Sequence, residues 1–372
     1  MSKVTLYGSS LSLYTGRARS YLIKTGIPYE ETLPTSQHFQ ENVLPKMGGR
    51  RSVPVIETEE GEVVRDGAAI IDHYEAINNQ CFSPVTPKQQ TLSLLFDVIG
   101  TEGLLRPAMH YRWNFPEENL DFLTFHFECF IPPHLDKKKM AEKQMNRMRS
   151  SGENFGAVPS TFKLVETLYI SLMEKLDQHF SRYPYLLGNK PSIGDFGLIA
   201  PLYGHLGRDP KPIRLMQTKA IRLYRWVERM NRPEPDIGEF HRKEEDYLPS
   251  DEIPESIVEV LKHIAIDFVP ETRAAAETIN DWLQQNRTMD PCTIAERHVG
   301  IASFDIEGTT INAIAQPYRF YLLSRLQNYV DSLKGSDKKS VIELLQSCGL
   351  SELMQMRLTR GIGRHENREV WL

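Results

Sequence analysis

Five hydroxyl-bearing side chains, Ser9, Ser10, Ser12, Tyr14 and Thr15, lie within seven consecutive residues near the start of this chain. They follow the strand-like run Val4-Thr5-Leu6-Tyr7 and lead into Arg17-Ala18-Arg19-Ser20-Tyr21-Leu22. The segment therefore reads as a short buried strand, a polar turn and a helix that begins near Leu13. Such a turn brings hydroxyls and unpaired backbone N–H groups to one point, at the positive end of a helix. That combination suits a thiolate or another anion.

Other candidates follow along the chain. Ser52-Val53-Pro54-Val55-Ile56 opens a strand, and Asp66-Gly67 stands where the next helix must start. Lys46, Arg50 and Arg51 precede that strand and could meet a carboxylate, or simply form a solvated basic loop. His38 is a weaker neighbour. His110, Tyr111 and Trp113 are spaced as pocket walls or as core. In Ser192-Ile193-Gly194-Asp195, Ser192 and Asp195 form a capping box.

The elements that must position these residues alternate first and then turn helical. Strands are expected at 3–7 and 29–33, helices at 13–25 and 67–78, a loop at 35–49, and a hairpin of 52–58 with 63–65. Gly26 stops the first helix. Residues 79–90 form a linker, after which helices dominate, including 162–180 and 221–230. Residues 231–254, with four prolines and eight acidic residues, read as a connection. Beyond it we expect helices near 255–266, 271–285, 317–334 and 339–348, and an irregular or hairpin segment at 298–314. The last stretch, 360–372, reads as loose, and Arg357, Arg360, Arg364 and Arg368 read as a solvated basic tail.

The chain has 372 residues and a net charge of −5, which leaves no nucleic-acid footprint. Four cysteines, Cys81, Cys129, Cys292 and Cys348, form no CxxC pair. This argues against a zinc site and a disulfide framework and fits a reducing cytosol. With no cysteine before residue 81, dithiol exchange at the N-terminal turn is improbable. The N-terminus lacks the apolar core of a signal peptide, and no apolar run is long enough for a membrane span.

Taken together, the Tyr7–Leu22 segment, Val53-Pro54 and the Ser192–Asp195 box resemble the soluble glutathione transferase superfamily over roughly residues 3–232. The wording of the first helix is similar to a bacterial-type branch with extended C-termini. The resemblance implies an α+β protein: a thioredoxin-like glutathione-binding domain at 1–80, an all-α transferase-type domain at 88–240, and an additional, mostly helical C-terminal extension at 255–372. It implies glutathione as co-substrate, with Ser12 as the catalytic hydroxyl and Val53, Pro54, Asp66, Gly67 and Arg51 in the cradle. Pro54 is expected to be cis, leaving the Val53 backbone to pair with the bound peptide. Tyr7, Tyr14, Ser9 and Ser10 are other possible donors, and a plain helix cap is the alternative role for Ser12 and for Asp66.

Lowering a thiol from about 8.5 to about 6.5 needs ~2.7 kcal/mol. A hydrogen bond to the thiolate supplies about 1.5–3 kcal/mol, and the helix N-terminus adds about 0.3–1 kcal/mol. Ser12 therefore needs no separate base. Position 67 departs from the family pattern. Gly67 lacks the usual serine hydroxyl that grips the γ-glutamyl end, and its loss would weaken binding about ten- to a hundredfold if nothing replaced it. The expected activity is that of a cytoplasmic, homodimeric transferase or lyase whose bound thiolate attacks a small, largely apolar electrophile, as in detoxification. A non-catalytic binding or scaffold protein of the same fold is the alternative.

Overall fold

The computed structural model describes residues 3–233, 239–240 and 246–372. The N-terminal part is built of β1 (Val4–Tyr7), α1 (Leu13–Thr25), β2 (Tyr29–Thr32), β3 (Val55–Glu57), β4 (Val63–Arg65) and α2 (Gly67–Ile77). Its sheet runs in the order β2-β1-β3-β4, with β1 and β2 parallel and the other pairs antiparallel. This is the thioredoxin-like arrangement. Ser12 caps α1 at one end, and Gly26 ends it in the left-handed conformation (φ 68°), which glycine adopts without strain. Residues 39–47 form two short helical turns where a loop was expected.

The helical part comprises α3 (Pro87–Val98), α4 (Leu105–Trp113), α5 (Pro116–Cys129), α6 (Lys137–Glu153), α7 (Phe162–Phe180), α8 (Ile193–Gly204), α9 (Pro210–Lys219) and α10 (Ile221–Met230). A single π-helical stretch, Ile99–Gly103, joins α3 to α4. Helix α8 is buried on every side, so its start must satisfy its own polar groups. The Asp195 carboxylate accepts from the Ser192 N–H (2.8 Å), the Ser192 hydroxyl (2.9 Å), the Leu186 N–H (3.2 Å) and the Trp226 indole (3.1 Å). Much of the 231–254 connection lies outside the described residues.

The extension contains α11 (Glu255–Gln285), a hairpin of β5 (Ile301–Ile306) and β6 (Thr309–Ile314), α12 (Pro317–Ser332), α13 (Gly335–Ser347) and a second hairpin of β7 (Ile362–His365) and β8 (Arg368–Trp371). Two expectations fail here. First, the chain does not break at Pro270, and α11 runs straight through it. Proline removes the bond to the carbonyl four residues back, at Ile266. Ile266 lies on the exposed side of the helix, where water can take that carbonyl, while the opposite face is locked into the core by Ile257, Leu261, Ile264, Phe268 and Ile279.

Second, residues 360–372 are not loose. Trp371 is fully buried and stacks on Trp282, with ring centroids 5.7 Å apart. Backbone bonds from Cys292, Ala295 and Trp371 stitch β8 to residues 292–295. The turn Glu366-Asn367 places two non-glycine residues at φ 46° and 62°, a left-handed pair usually marked by glycine or asparagine.

Buried ion pairs tie the extension to the rest. Arg106 of α4 pairs with Asp267 (2.6 Å) and Glu271 (2.9 Å), and Arg319 of α12 pairs with Glu271 (2.9 Å). Among the described residues, no helix is long and apolar enough to cross a membrane.

Candidate functional site

The hydroxyl turn is tied down by its own residues. Ser12 Oγ accepts the Thr15 N–H at 3.2 Å, capping α1. Thr15 Oγ1 accepts the Ser9 N–H (3.3 Å), and Ser9 Oγ accepts the Leu11 N–H (3.2 Å). Capping uses a lone pair of Ser12 and leaves its O–H proton available, since no acceptor for it occurs among the described residues. Capping and donating to a thiolate are thus compatible roles for one hydroxyl.

Tyr7 has a different partner. Its hydroxyl donates to Glu57 (2.9 Å), and burial together with that carboxylate pushes its pKa far above the usual phenol value. His38 lies on the same Glu57 carboxylate (2.9 Å), and Lys46 donates to the Gly61 carbonyl. The Tyr14 hydroxyl reaches only the Thr101 carbonyl, at 3.4 Å.

The Val53–Pro54 bond is cis. Neither the N–H nor the C=O of Val53 has a hydrogen-bond partner among the described residues. Arg51 is exposed, whereas Arg50 turns inward to Glu369 of β8 (2.9 Å) and the Ala295 carbonyl. The cation at this end of the sheet therefore meets a carboxylate of the chain itself.

Asp66 caps α2 from a left-handed conformation (φ 89°). Its Oδ1 accepts from the Ala68 N–H (2.9 Å), the Ala69 N–H (3.3 Å) and the Tyr318 hydroxyl (2.8 Å). Oδ2 has no hydrogen bond among the described residues, and neither has the Gly67 N–H. The space a side chain at 67 would enter is already bordered by Arg17 Cδ and the Tyr14 carbonyl, both 3.3 Å from the position of an added Cβ. Arg17 is held there by Asp97 (2.5 Å) and Thr101 (2.7 Å). A small residue at 67 matches this crowding.

What sequence reasoning missed is how much of this end comes from the C-terminal hairpin. Glu369, only 3% exposed, accepts ion pairs from Arg50, Arg65 (2.6 Å) and Arg364 (2.8 Å). Asn367 covers the edge of β4: its side chain accepts the Arg65 N–H (3.1 Å) and donates to the Val63 carbonyl (2.8 Å). Arg364 stands 3.8 Å from Asp66 Oδ1. The solvated basic tail is corrected accordingly, because Arg364 and Arg368 belong to a hairpin packed on the N-terminal sheet. The four arginines at 357–368 were the available signal, but nothing in their spacing named Asp66 or Glu369 as partners.

Of the three aromatic wall candidates, His110 and Tyr111 are core. His110 bonds Glu166 (3.0 Å), and Tyr111 stacks on Phe115. Trp113 does line a groove of about 360 Å³ between α4, α5 and α6, with Arg112, Leu123 and Met145. Leu11, the residue before Ser12, packs in the same apolar cluster as Trp113, Leu123 and Met145, and its carbonyl accepts from Arg112 (2.9 Å). Leu11 thus packs with the groove's apolar residues, while no residue of the hydroxyl turn is among those lining the groove.

Cys81 donates to Glu75, and burial pushes its thiol up to about 11.

Comparison with known proteins gives a consistent family. Residues 6–80 match the family model described as glutathione S-transferase, N-terminal domain, and residues 165–234 match that for the glutathione S-transferase C-terminal domain. No curated protein matches the chain. Solved structures similar to it include a glutathione S-transferase from Pseudomonas fluorescens (17% identity, 61% of this chain and 93% of that one, TM-score 0.33). The β-etherase LigF from Sphingobium sp. is another (16%, 61% and 94%, TM-score 0.38). A third is a Methylobacterium radiotolerans glutathione S-transferase in complex with glutathione sulfonate (15%, 61% and 90%, TM-score 0.34).

Proposed function

Because this chain belongs to the soluble glutathione transferase superfamily, with the N-terminal and C-terminal domains of that family in order, we propose that it is a glutathione-dependent transferase or lyase. Its substrate would be a small, largely apolar electrophile. The observation that carries this reading is Ser12, which caps α1 through one lone pair and keeps its O–H proton without an acceptor among the described residues, at the positive end of that helix. A glutathione sulfur placed there meets one strong donor and a helix N-terminus, and both favour the thiolate. The thiolate then attacks an electrophilic carbon, and the leaving group departs with the bonding electron pair.

Val53, whose backbone N–H and C=O have no partner among the described residues, offers both to the cysteinyl part of the peptide. Asp66 Oδ2 and the Gly67 N–H face the γ-glutamyl end. Arg51 is the exposed cation left for the glycyl carboxylate. The groove at Trp113, Leu123 and Met145 would receive the electrophile, and its volume is in the range usual for small-molecule sites. A homodimer, a cytoplasmic setting and a role in detoxification belong to the same reading, and light scattering of the purified chain tests the first of these.

A second reading, a non-catalytic binding or scaffold protein, is favoured by Gly67, where Arg17 and Tyr14 border the place of the family's serine hydroxyl. Calorimetric titration with glutathione separates the two. The enzyme reading expects saturable binding below millimolar concentration, together with thiolate absorbance at neutral pH. Absence of heat at millimolar glutathione would favour the scaffold.

A further inference from the structure

The γ-glutamyl end of glutathione carries an α-carboxylate and an α-ammonium on one carbon, so a site for it needs a cationic donor beside an anionic acceptor. Around Asp66, three guanidiniums (Arg50, Arg65 and Arg364) face two carboxylates (Glu369 and Asp66). This leaves one positive charge in excess. Asp66 Oδ1 is saturated by three donors, one of them the Tyr318 hydroxyl at 2.8 Å, while Oδ2 is open.

The side chains of Asp66 and Arg364 remain 16% and 15% exposed, and Tyr14 and Tyr318 are only partly buried. Asp66 and Arg364 therefore keep contact with solvent where the extension meets them. Glu102, itself only 2% exposed, keeps Oε2 without a partner among the described residues.

We propose that the C-terminal extension completes the γ-glutamyl subsite: Arg364 binds the α-carboxylate together with the Gly67 N–H, and Tyr318 holds Asp66 so that Oδ2 meets the α-ammonium. This rests on the glutathione reading above. It also accounts for Gly67, because the donor missing at position 67 is supplied from 297 residues further along the chain, by Arg364. Arg364 is a binding residue and Tyr318 a positioning residue. Helix α12 and the β7–β8 hairpin are then part of the substrate site.

The test is calorimetric titration of the full chain and its Arg364→Gln and Tyr318→Phe variants with two probes, glutathione and cysteinylglycine, which lacks the γ-glutamyl group. Arg364→Gln is expected to weaken glutathione about ten- to a hundredfold, as for loss of one charge-assisted hydrogen bond. Tyr318→Phe, which removes one oxygen and keeps the ring packing, is expected to weaken it about three- to tenfold. Both should leave cysteinylglycine unchanged.

Equal losses for both probes would mean a merely structural role and overturn the proposal. Unchanged glutathione affinity in both variants would do the same. Tighter binding in the variants would show that the extension plugs the subsite, which also overturns it. If the unaltered chain binds neither probe, the glutathione reading itself fails and this inference goes with it; the other outcomes leave that reading standing.

Discussion

At the proposed sulfur end of the cradle, Ser12 is held by Thr15, three residues away, and the neighbouring Ser9 and Thr15 are bound within the same turn. At the proposed γ-glutamyl end, Asp66 is held by Tyr318, 252 residues away, and Arg65 by Asn367, 302 residues away. The first end needs only a strand, a turn and a helix start. The second gains its Tyr318 and Asn367 contacts only when the extension is folded against the sheet. Under the proposal above, the donor absent at position 67 is replaced by one from a distant segment, which must be anchored as firmly as β8 is.

The contrast breaks most severely at Glu369. Replacing it with alanine strands three guanidiniums in a buried setting, and breaking such an arrangement costs about 3–5 kcal/mol. Glu369→Ala should lower unfolding stability by that amount in urea titration. It should also cost glutathione affinity while leaving the Ser12 turn intact. A fully stable variant would mean that the hairpin is not fixed by its charges.

The opposite end is sharpened by Ser12→Ala. The thiol pKa of bound glutathione, followed by thiolate absorbance against pH, should rise by about 1–2 units as the donor is lost. Turnover per unit substrate concentration at neutral pH should fall about ten- to a hundredfold. Tyr7→Phe is the control and should leave the thiol pKa in place, because the Tyr7 hydroxyl is committed to Glu57. If Ser12→Ala retained its thiolate and Tyr7→Phe lost it, the assignment at this end would be reversed.

The smallest expected change, read as a shift in Tm, is at Glu102. Burial pushes its carboxyl up to about 8, so the folded chain holds a proton that the unfolded chain has released above about pH 4.5. Stability is therefore highest at low pH with respect to this group and declines as pH rises from about 4.5 through about 8. Glu102→Gln copies the protonated acid. It should raise Tm by a few degrees at about pH 9 and barely at all at about pH 5, as followed by thermal melts across pH. A constant difference at all pH values would show that Glu102 carries no titrating charge.

Much of the fold was legible in the residues. Helix α1 could be bounded from Leu13 to Thr25 because Ser12 and Gly26 are strong local caps, and Phe162–Phe180 could be bounded by its apolar spacing. Misreadings came where context overrode a local rule. Pro270 should end a helix, yet α11 continues, since the packed face holds it and the freed carbonyl lies on the wet side. Residues 360–372 lack a glycine turn and carry several arginines, so they read as a tail. The Glu366-Asn367 turn is held because the Asn367 side chain bonds the edge of β4.

The sequence by itself determined the family, the thioredoxin-like and helical parts, and the hydroxyl turn with Ser12 at a helix start. These depend on caps, alternation and helical spacing, all of which act over a few residues. Only the tertiary structure decided that Arg50 meets Glu369, that Arg364 and Tyr318 stand at Asp66, and that Trp113 lines a groove while His110 and Tyr111 enter the core. Such pairings depend on which surface a distant segment covers. That choice is set by the burial of Trp371 and the ion pairs of α11 and α12, and no short-range pattern encodes it.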